Sequence, residues 1–242
     1  MKGVVLAGGY GTRLAPMTKV VNKHLLDVFD QPMVHYPINT LRDAGITDIV
    51  LVTGAEIEQF KTVLGDGADL GVRLTYAQQQ GAGGIAEALA LAEPHVGDQP
   101  LVEILGDNLF QDDLRPYVEA FAHQGGGARV LLKRVEDARR FGVATVEGEH
   151  IVRIDEKPQN PATNLAVTGC YMYAPDVFSI AAGLEPSARG ELEITDVNNV
   201  YIERGQLRFD VLPGWWTDAG THPSKLKASI LVALTRGVTF HA

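Results

Sequence analysis

The stretch GVVLAGGYGTRLAP spans residues 3–16 and joins a short apolar run to a glycine-rich segment. An uninterrupted apolar run that ends in glycines is typical of a buried parallel strand followed by a loop. Glycines leave the backbone N–H groups of such a loop accessible, so the loop can hold phosphate oxygens. Arg13 follows directly, and its guanidinium can grip a phosphate in a forked geometry. The stretch therefore predicts an anion-binding loop after the first strand.

Two common phosphate-binding patterns do not fit this loop. The Walker pattern needs Gly-Lys-Ser/Thr after a glycine and four residues, but Gly8 leads to Arg13 and Leu14. The dinucleotide pattern G-x-G-x-x-G begins correctly at Gly9 and Gly11 but has a leucine where its third glycine belongs. These failures disfavour a small-molecule kinase and an NAD-dependent dehydrogenase.

Two lysines follow the loop in the segment PMTKVVNKHLL. Lys23 lies among apolar residues, so one face of its segment can be buried while the ammonium projects into a cleft. We therefore expect Lys23 to be functional. Lys19 can equally be a solvated surface charge, and its role stays open.

Strand and helix patterns alternate outward from the loop. Apolar runs predict further strands at 48–53, 101–105, 128–135, 150–158 and 165–175, with another from residue 207. Helical periodicity and stop signals predict helices at 32–45, 56–65, 84–93, 191–205 and 221–237, the last with Thr221 as its N-cap. This alternation predicts an α/β fold with a Rossmann-like mixed, mainly parallel sheet flanked by helices and a smaller β portion in the second half.

Bulk composition narrows the class of protein. The chain has 242 residues, a net charge of −9 and 45% hydrophobic residues. An acidic chain is a poor candidate for nucleic-acid binding, whose footprint is basic. The single cysteine, Cys170, excludes an intrachain disulfide and lies in an apolar run, which predicts a buried core residue. No signal peptide and no membrane-length apolar run is visible, so we expect a cytoplasmic protein.

The glycine loop belongs to a longer match. The segments GGYGTRLAPMT, NKHLL and QPMVHYPI together closely resemble the sugar-1-phosphate nucleotidyltransferases, and matching pieces recur to about Gly220. The resemblance implies transfer of a nucleotidyl group from a nucleoside triphosphate to a sugar 1-phosphate, with release of pyrophosphate. It favours dTTP and glucose 1-phosphate as substrates, with UTP or another sugar 1-phosphate as the alternative. A non-catalytic sugar-nucleotide sensor is the rival of another class.

Two aspartates are candidate ligands for magnesium. Asp107 stands in ILGDNLF just past a buried strand, where the ligand sites of open α/β sheets lie. Asp218 stands in GWWTDAGT, and either aspartate could instead be a turn or N-cap residue. The resemblance implies that both bind the catalytic Mg²⁺. Two carboxylates from distant parts of the chain must then converge.

The resemblance also implies the nucleotide site. Its residues are Leu6, Gly8, Gly9, Gly11, Thr12, Arg13, Gln79 and Gly84. The Gln79 amide can donate to and accept from a pyrimidine edge, and Gly84 would let the base approach the backbone. Gln80 and Gly83 replace a proline and an aspartate expected in thymidylyl-transferring members, which leaves the nucleotide preference open.

The sugar-phosphate site is likewise implied by the resemblance. Its residues are Asn108, Gly142, Glu156, Lys157, Val167, Gly169, Tyr171 and Arg189. Glu156 would accept hydrogen bonds from sugar hydroxyls, and Lys157 and Arg189 would meet the sugar phosphate. From the residues alone, Glu156 and Lys157 form an exposed ion pair, and Val167 and Tyr171 are core residues.

The implied chemistry depends on positioning and electrostatics, because the attacking phosphate oxygen is already an anion. The expected catalytic residues are Arg13, Lys23, Asp107 and Lys157. We interpret the chain as a single domain, 1–242, with a nucleotide-binding half to about residue 125 and a sugar-phosphate-binding half from about residue 126. We also expect a short family member without the C-terminal regulatory region, which self-associates into a homo-oligomer.

Overall fold

The computed structural model describes residues 1–239, so the last three residues of the predicted domain lie outside the described range. The strands are β1 (Lys2–Ala7), β2 (Asp27–Val28), β3 (Gln31–Pro32), β4 (Asp48–Thr53), β5 (Arg73–Gln78), β6 (Leu101–Leu105), β7 (Asn108–Phe110), β8 (Ala128–Arg134), β9 (Gly142–Glu147), β10 (His150–Glu156), β11 (Leu165–Tyr173), β12 (Leu207–Val211) and β13 (Trp216–Asp218). The α-helices are α1 (His35–Asp43), α2 (Ile57–Leu64), α3 (Ile85–Ala90), α4 (Glu93–Val96), α5 (Arg115–Gln124), α6 (Val177–Ala182), α7 (Ile194–Glu203) and α8 (His222–Thr235). Short 3-10 turns lie at Thr12–Leu14, Met17–Lys19, Lys23–Leu25 and Ala68–Leu70.

Within the described residues, nine strands form one mixed sheet. Its main path is β10-β9-β11-β6-β1-β4-β5, and β8 pairs with both β11 and β12 off that path. Strands β6, β1, β4 and β5 are mutually parallel, whereas β11 runs antiparallel to β6, β8 and β9. The predicted α/β fold is confirmed, and β11 is where the parallel half meets the mixed half.

Apolar side chains cover both faces of the sheet, which explains why its central strands are continuous apolar runs. One face packs against α3, α6 and α7 through a cluster that includes Val4, Val50, Leu89, Val197 and Tyr201. The other face packs against α1, α2 and α5 through a cluster that includes Val5, Ile38, Leu51, Phe60 and Phe121. Cys170 is buried in this second cluster, as predicted.

Several predicted bounds need correction. The helix expected at 84–93 is two helices, α3 and α4. Pro94 lies in the first turn of α4, where the missing backbone N–H of proline does not break a helical hydrogen bond. The strand expected at 150–158 ends at Glu156, because Lys157 adopts a left-handed φ of 43°. The helix expected at 32–45 begins at His35, because Gln31 and Pro32 form β3. Strands β2, β3, β5, β7, β9 and β13 and helices α5 and α6 were not predicted.

Helix α8 fixes the last strand against the first loop. Thr221 caps α8 as predicted: its hydroxyl accepts from the Ser224 N–H at 3.3 Å, and the Ser224 hydroxyl accepts from the Thr221 N–H at 3.1 Å. Under α8 lies a third apolar cluster, consisting of Leu14, Val28, Met33, Leu109, Ala219, Ala228 and Val232. The end of the glycine loop and the segment after β13 therefore share one core. Among residues 1–239, no helix is long and apolar enough to cross a membrane.

Glu103 is an acid in the middle of β6. Its side chain is fully buried, and neither carboxyl oxygen has a hydrogen-bond partner within the described residues. Burial raises the pKa of Glu103 well above its ordinary value, because a carboxylate in apolar surroundings is strongly disfavoured. Burial therefore favours the protonated, uncharged form of Glu103 in the folded protein.

This buried acid predicts a pH-dependent loss of stability. Above the pKa of the unfolded carboxyl group, the native state retains a proton that the unfolded chain releases, so the wild type becomes less stable as pH rises. Relative to Glu103→Gln, the wild type should lose up to about 1.4 kcal/mol per pH unit in that window. Urea unfolding at a series of pH values measures the difference. The exposed control Glu119→Gln should show no such trend, and parallel curves for the wild type and Glu103→Gln would contradict the protonated buried acid.

Candidate active site

A cavity of about 580 Å³ lies outside the carboxyl ends of β1, β5 and β6. This is the edge where ligand sites of open α/β sheets form. The predicted site residues on its walls are Leu6, Gly8, Gly9, Arg13, Lys23, Gln79, Gly84, Asp107, Asn108, Gly142, Glu156, Lys157, Val167, Gly169, Tyr171, Arg189 and Asp218. The predicted residues Gly11 and Thr12 do not line the cavity, nor does Lys19, which is exposed.

The glycine loop wraps around Lys23. A β-carbon at Gly11 would lie 2.7 Å from Lys23 Cβ, and one at Gly9 would lie 3.3 Å from Lys23 Cε. Gly11 also has a left-handed φ of 64°, and its carbonyl accepts a hydrogen bond from the Thr18 hydroxyl at 2.9 Å. The role of Gly11 in this structure is therefore to make room for Lys23, which lines the cavity.

Arg13 presents its guanidinium to the cavity. Buried Leu14 anchors the following position, so the exposed Arg13 side chain projects from a fixed turn. No hydrogen bond or ion pair holds the guanidinium to any residue in the range 1–239, and one of its nitrogens lies 3.3 Å from the position that a β-carbon on Gly220 would take. An anion entering the cavity would meet an unpaired fork of donors.

Lys23 and Asp107 form a largely buried ion pair. The Lys23 Nζ lies 2.6 Å from Asp107 Oδ2, and the two side chains are 12% and 13% exposed. Burial acts to raise the pKa of Asp107, but the Lys23 charge and hydrogen bonds from Lys23 and Asn108 outweigh burial and hold that pKa well below its ordinary value. Asp107 is therefore ionised throughout the physiological range.

Asp107 and Asp218 converge on one point beside Gly220. A β-carbon on Gly220 would lie 3.2 Å from Asp107 Oδ2 and 3.7 Å from Asp218 Oδ2. The convergence follows from the pairing of β13 with β7, which sets Asp218 opposite Asn108. Burial and the charge of Asp107 raise the pKa of Asp218, and nearby cations act against them.

Asn108 connects the two strands below the carboxylates. Its Nδ2 donates to Asp107 Oδ1 at 3.0 Å, while its Oδ1 accepts from Trp216 Nε1 at 2.7 Å and from the Gly169 N–H at 3.0 Å. Gly169 is required there, because a β-carbon would lie 2.6 Å from the Asn108 amide. The amide thus fixes the orientation of Asp107 from beneath the cavity.

The predicted base-reading residues lie on the cavity wall that adjoins the glycine loop. Gln79 Nε2 donates to the Gly84 carbonyl and to Glu87 Oε1, both at 3.2 Å, and its Oε1 faces Gly8. Gly84 has a φ of 104°, and a β-carbon there would lie 2.4 Å from the Leu192 carbonyl oxygen. Only glycine fits this position, and the loop before α3 packs directly on the segment before α7.

The predicted sugar-phosphate residues form the opposite wall. Glu156 Oε2 accepts from the Thr195 hydroxyl at 2.6 Å, and Glu156 Oε1 lies 2.9 Å from Lys157 Nζ and 3.2 Å from Arg189 NH2. Burial tends to raise the pKa of Glu156, but the Thr195 hydrogen bond and the two cations bring it below its ordinary value. Arg189 also pairs with Glu193, at 2.7 Å.

Sequence reasoning missed several residues of the cavity wall. Arg140 pairs with Asp218 at 3.0 Å, and Glu193 and Thr195 organise the opposite wall. His24 is buried beneath Lys23, and burial together with the Lys23 charge lowers its pKa to about 3, so it is neutral. No residue-type pattern distinguishes these positions, although Arg140 lies two residues before the predicted sugar-phosphate residue Gly142.

The converging carboxylates fit a divalent cation. Among the described residues, no group of three or more His, Cys, Asp or Glu side chains could hold a metal ion, so the pair at Gly220 offers only part of a coordination shell. A shell of two carboxylates completed by water and substrate phosphates is what Mg²⁺ prefers. The position that a β-carbon on Gly220 would take lies near both carboxylates, with an Arg13 nitrogen 3.3 Å from it, so a cation bound there would neighbour the Arg13 guanidinium.

The cavity has cationic groups on two facing walls and a pair of converging carboxylates between them. This is the arrangement that a nucleotidyltransferase needs in order to bring phosphate groups and a metal ion together. The nucleotidyl transferase family profile matches residues 2–233, and the chain belongs to that family.

Several curated relatives share one particular name. A glucose-1-phosphate thymidylyltransferase from Neisseria meningitidis is 42% identical over 98% of this chain and 84% of its own length. A protein of the same name from Mycolicibacterium smegmatis is 44% identical over 96% of this chain and 82% of its own length. The predicted membership of the sugar-1-phosphate nucleotidyltransferases is thereby confirmed.

Solved structures agree with these relatives. A crystal structure from Bacillus anthracis, assigned as a glucose-1-phosphate thymidylyltransferase in complex with sucrose, has a TM-score of 0.93 and 51% identity, covering 100% of this chain and 98% of that chain. A UDP-glucose pyrophosphorylase complexed with UDP-glucose has a TM-score of 0.86 and 25% identity, covering 97% of this chain and 99% of that chain.

The buried bond from Trp216 to Asn108 yields a stability prediction. Trp216→Phe keeps an aromatic ring in the core but removes the Nε1 donor. The buried Asn108 Oδ1 then loses one of its two hydrogen bonds, which should lower the free energy of unfolding by about 1–3 kcal/mol. Trp215→Phe is the matched control, because its Nε1 donates at 3.1 Å to Thr235 near the surface. Urea unfolding compares the two variants, and equal losses would contradict the linking role of Asn108.

Proposed function

We propose that this chain transfers the thymidylyl group of dTTP to glucose 1-phosphate, forming dTDP-glucose and releasing pyrophosphate. The observation that carries the proposal is the meeting, in one cavity, of the unpaired Arg13 and the Lys23–Asp107 pair with the Glu156, Lys157 and Arg189 wall. The curated relatives support it, because they are named for this reaction.

The triphosphate would lie across the glycine loop. The backbone of Gly8 and Gly9 leaves N–H groups open to phosphate oxygens, Lys23 would contact the α-phosphate, and Arg13 would bind the departing pyrophosphate. Gln79 would read the pyrimidine edge with the amide that faces Gly8. Gly11 and Thr12 would contribute through the shape of the loop, since they lie off the cavity wall.

The sugar phosphate would enter from the opposite wall. Glu156 would accept hydrogen bonds from sugar hydroxyls while Lys157 and Arg189 bind the phosphate. Val167 and Tyr171 are nearly buried but reach the cavity, so they can form an apolar floor for the sugar ring. Gly142 leaves this floor open, since a β-carbon there would lie 3.3 Å from the Thr195 hydroxyl.

The reaction then needs no protein base or nucleophile. A phosphate oxygen of glucose 1-phosphate forms a new bond to the α-phosphorus of dTTP as the bond from that phosphorus to the β-phosphate oxygen breaks. The cations Arg13, Lys23 and Lys157 bring two anions together and stabilise the charge that develops. Asp107 and Asp218 would hold Mg²⁺, which when bound neutralises phosphate charge.

The predicted base-reading loop differs from the family pattern at two positions. Gln80 and Gly83 stand where a proline and an aspartate are expected, and an amide alone does not separate thymine from uracil. UTP therefore remains the alternative nucleotide. The proposal further includes a cytoplasmic site of action, in keeping with the single, buried, free cysteine, and a homo-oligomeric state by family analogy.

A matrix of nucleoside triphosphates against sugar 1-phosphates tests the proposal. We expect pyrophosphate release with dTTP and glucose 1-phosphate, dependent on Mg²⁺, at a kcat/KM above that of every other pair. Preference for UTP would correct the base while keeping the reaction. No pyrophosphate from any pair, with binding of sugar nucleotides retained, would instead establish the sensor.

Arg13→Ala tests the pyrophosphate contact. Loss of a donor that acts on developing charge should lower turnover by about a hundredfold or more, with little change in the free energy of unfolding. Steady-state pyrophosphate release measures the effect. Lys19→Ala, which removes a nearby exposed cation that does not line the cavity, is the matched control and should retain activity. Full turnover by Arg13→Ala would end the assignment.

A further inference from the structure

We propose that Arg140 is a positioning residue that acts as the counter-ion of Asp218 until a divalent cation replaces it. In this proposal, Arg140 lowers the affinity of the substrate-free protein for the metal. The inference rests on the proposed function, because it takes Asp218 as a metal ligand. Arg140 is not among the site residues that the family resemblance implies.

The contact involves both oxygens of the proposed ligand. Arg140 NH2 lies 3.0 Å from Asp218 Oδ2 and 3.4 Å from Asp218 Oδ1. One guanidinium nitrogen therefore lies near both oxygens that Asp218 could offer to a metal. A divalent cation that binds this carboxylate must displace or shift the guanidinium.

Arg140 is held on an aromatic platform at the rim of the cavity. Its guanidinium carbon lies 5.6 Å from the centroid of the Phe141 ring, which in turn contacts the Trp216 ring at 5.0 Å between centroids. Trp216 is bonded to Asn108, the residue that orients Asp107. The platform therefore places Arg140 beside both carboxylates in the substrate-free protein.

The two carboxylates differ in how firmly they are paired. The Lys23–Asp107 pair is 12% and 13% exposed, whereas Arg140 is 43% exposed and Asp218 only 18%. Water screens the guanidinium much more than the lysine, so the Arg140 contact is the weaker of the two. Arg140 can leave Asp218 for the open cavity at small cost, while Lys23 stays on Asp107.

Charge explains why a resident counter-ion is needed. Asp107 and Asp218 approach the same point beside Gly220, so two negative charges meet in a partly buried site. Like charges in such a site repel strongly unless a cation lies between or beside them. In the substrate-free protein Arg140 is the cation paired with Asp218, Lys23 is paired with Asp107, and the Arg13 guanidinium lies nearby. When a metal displaces Arg140 from Asp218, the Arg140 guanidinium faces the cavity where phosphates are proposed to bind.

Binding of Mn²⁺ to the substrate-free protein tests the inference directly. Free Mn²⁺ is measured by its electron paramagnetic resonance signal during titration of the wild type, Arg140→Met and Arg139→Met. Arg139→Met is the matched control, because Arg139 is the adjacent arginine but pairs with Asp137 at the surface, at 2.8 Å. Arg140→Met should bind Mn²⁺ about two- to fivefold more tightly than the wild type, the size expected for a partly exposed ion pair, and Arg139→Met should match the wild type.

A double-mutant cycle separates direct competition from bulk charge. In an Asp218→Asn background, the tightening caused by Arg140→Met should disappear, because the competed ligand is gone. Unchanged or weaker Mn²⁺ binding by Arg140→Met, or equal tightening in both backgrounds, would overturn the proposal. If Arg140→Met does not fold, Arg140→Gln removes the same charge and gives the same comparison.

The result is distinguishable from failure of the proposed function. If the wild type releases no pyrophosphate from any substrate pair yet the cycle behaves as expected, the counter-ion role stands and the reaction does not. If pyrophosphate is released and Arg140→Met does not tighten Mn²⁺ binding, the reaction stands and the counter-ion role is wrong.

Discussion

The architecture of the site depends on the ion pair between Lys23 and Asp107, 2.6 Å long and nearly enclosed. It ties the segment after the glycine loop to the end of β6, so two neighbouring parallel strands end at one electrostatic centre. Gly9 and Gly11 leave room for this lysine, and a side chain at Gly11 would occupy its space. Removing either partner would leave an uncompensated buried charge, which costs far more than the pair itself contributes.

From that centre, local contacts reach the rest of the cavity. Asn108 connects Asp107 to β11 and β13, and the pairing of β13 with β7 brings in Asp218 from the far end of the chain. On the other side, the Leu192 backbone donates to the Gly83 carbonyl at 2.7 Å and accepts from Ala86 at 3.1 Å. The predicted base loop and the predicted sugar-phosphate wall are therefore joined by backbone hydrogen bonds.

Sequence patterns predict the parts of this molecule in which one residue type dominates locally. Continuous apolar runs located β4 and β6 to the residue, because those strands are buried on both faces. β5 was missed because its outer position leaves polar side chains along it. Most residues of the cavity wall were predicted from the family resemblance and not from residue spacing. Arg140 was not predicted, because its partner Asp218 lies 78 positions away in the sequence. Glu103 shows the same limit, since a burial-raised pKa depends on the whole core.

In the proposed mechanism, Asp107, directly before β7, and Asp218, at the end of β13, together hold one divalent cation over the glycine loop. Anomalous scattering from crystals grown with Mn²⁺ and dTDP-glucose tests this claim most directly. The account predicts a manganese peak within coordination distance of both Asp107 and Asp218, about 2.0–2.6 Å from a carboxylate oxygen of each. A peak bound elsewhere, with the sugar nucleotide in the cavity and neither aspartate as a ligand, would contradict it.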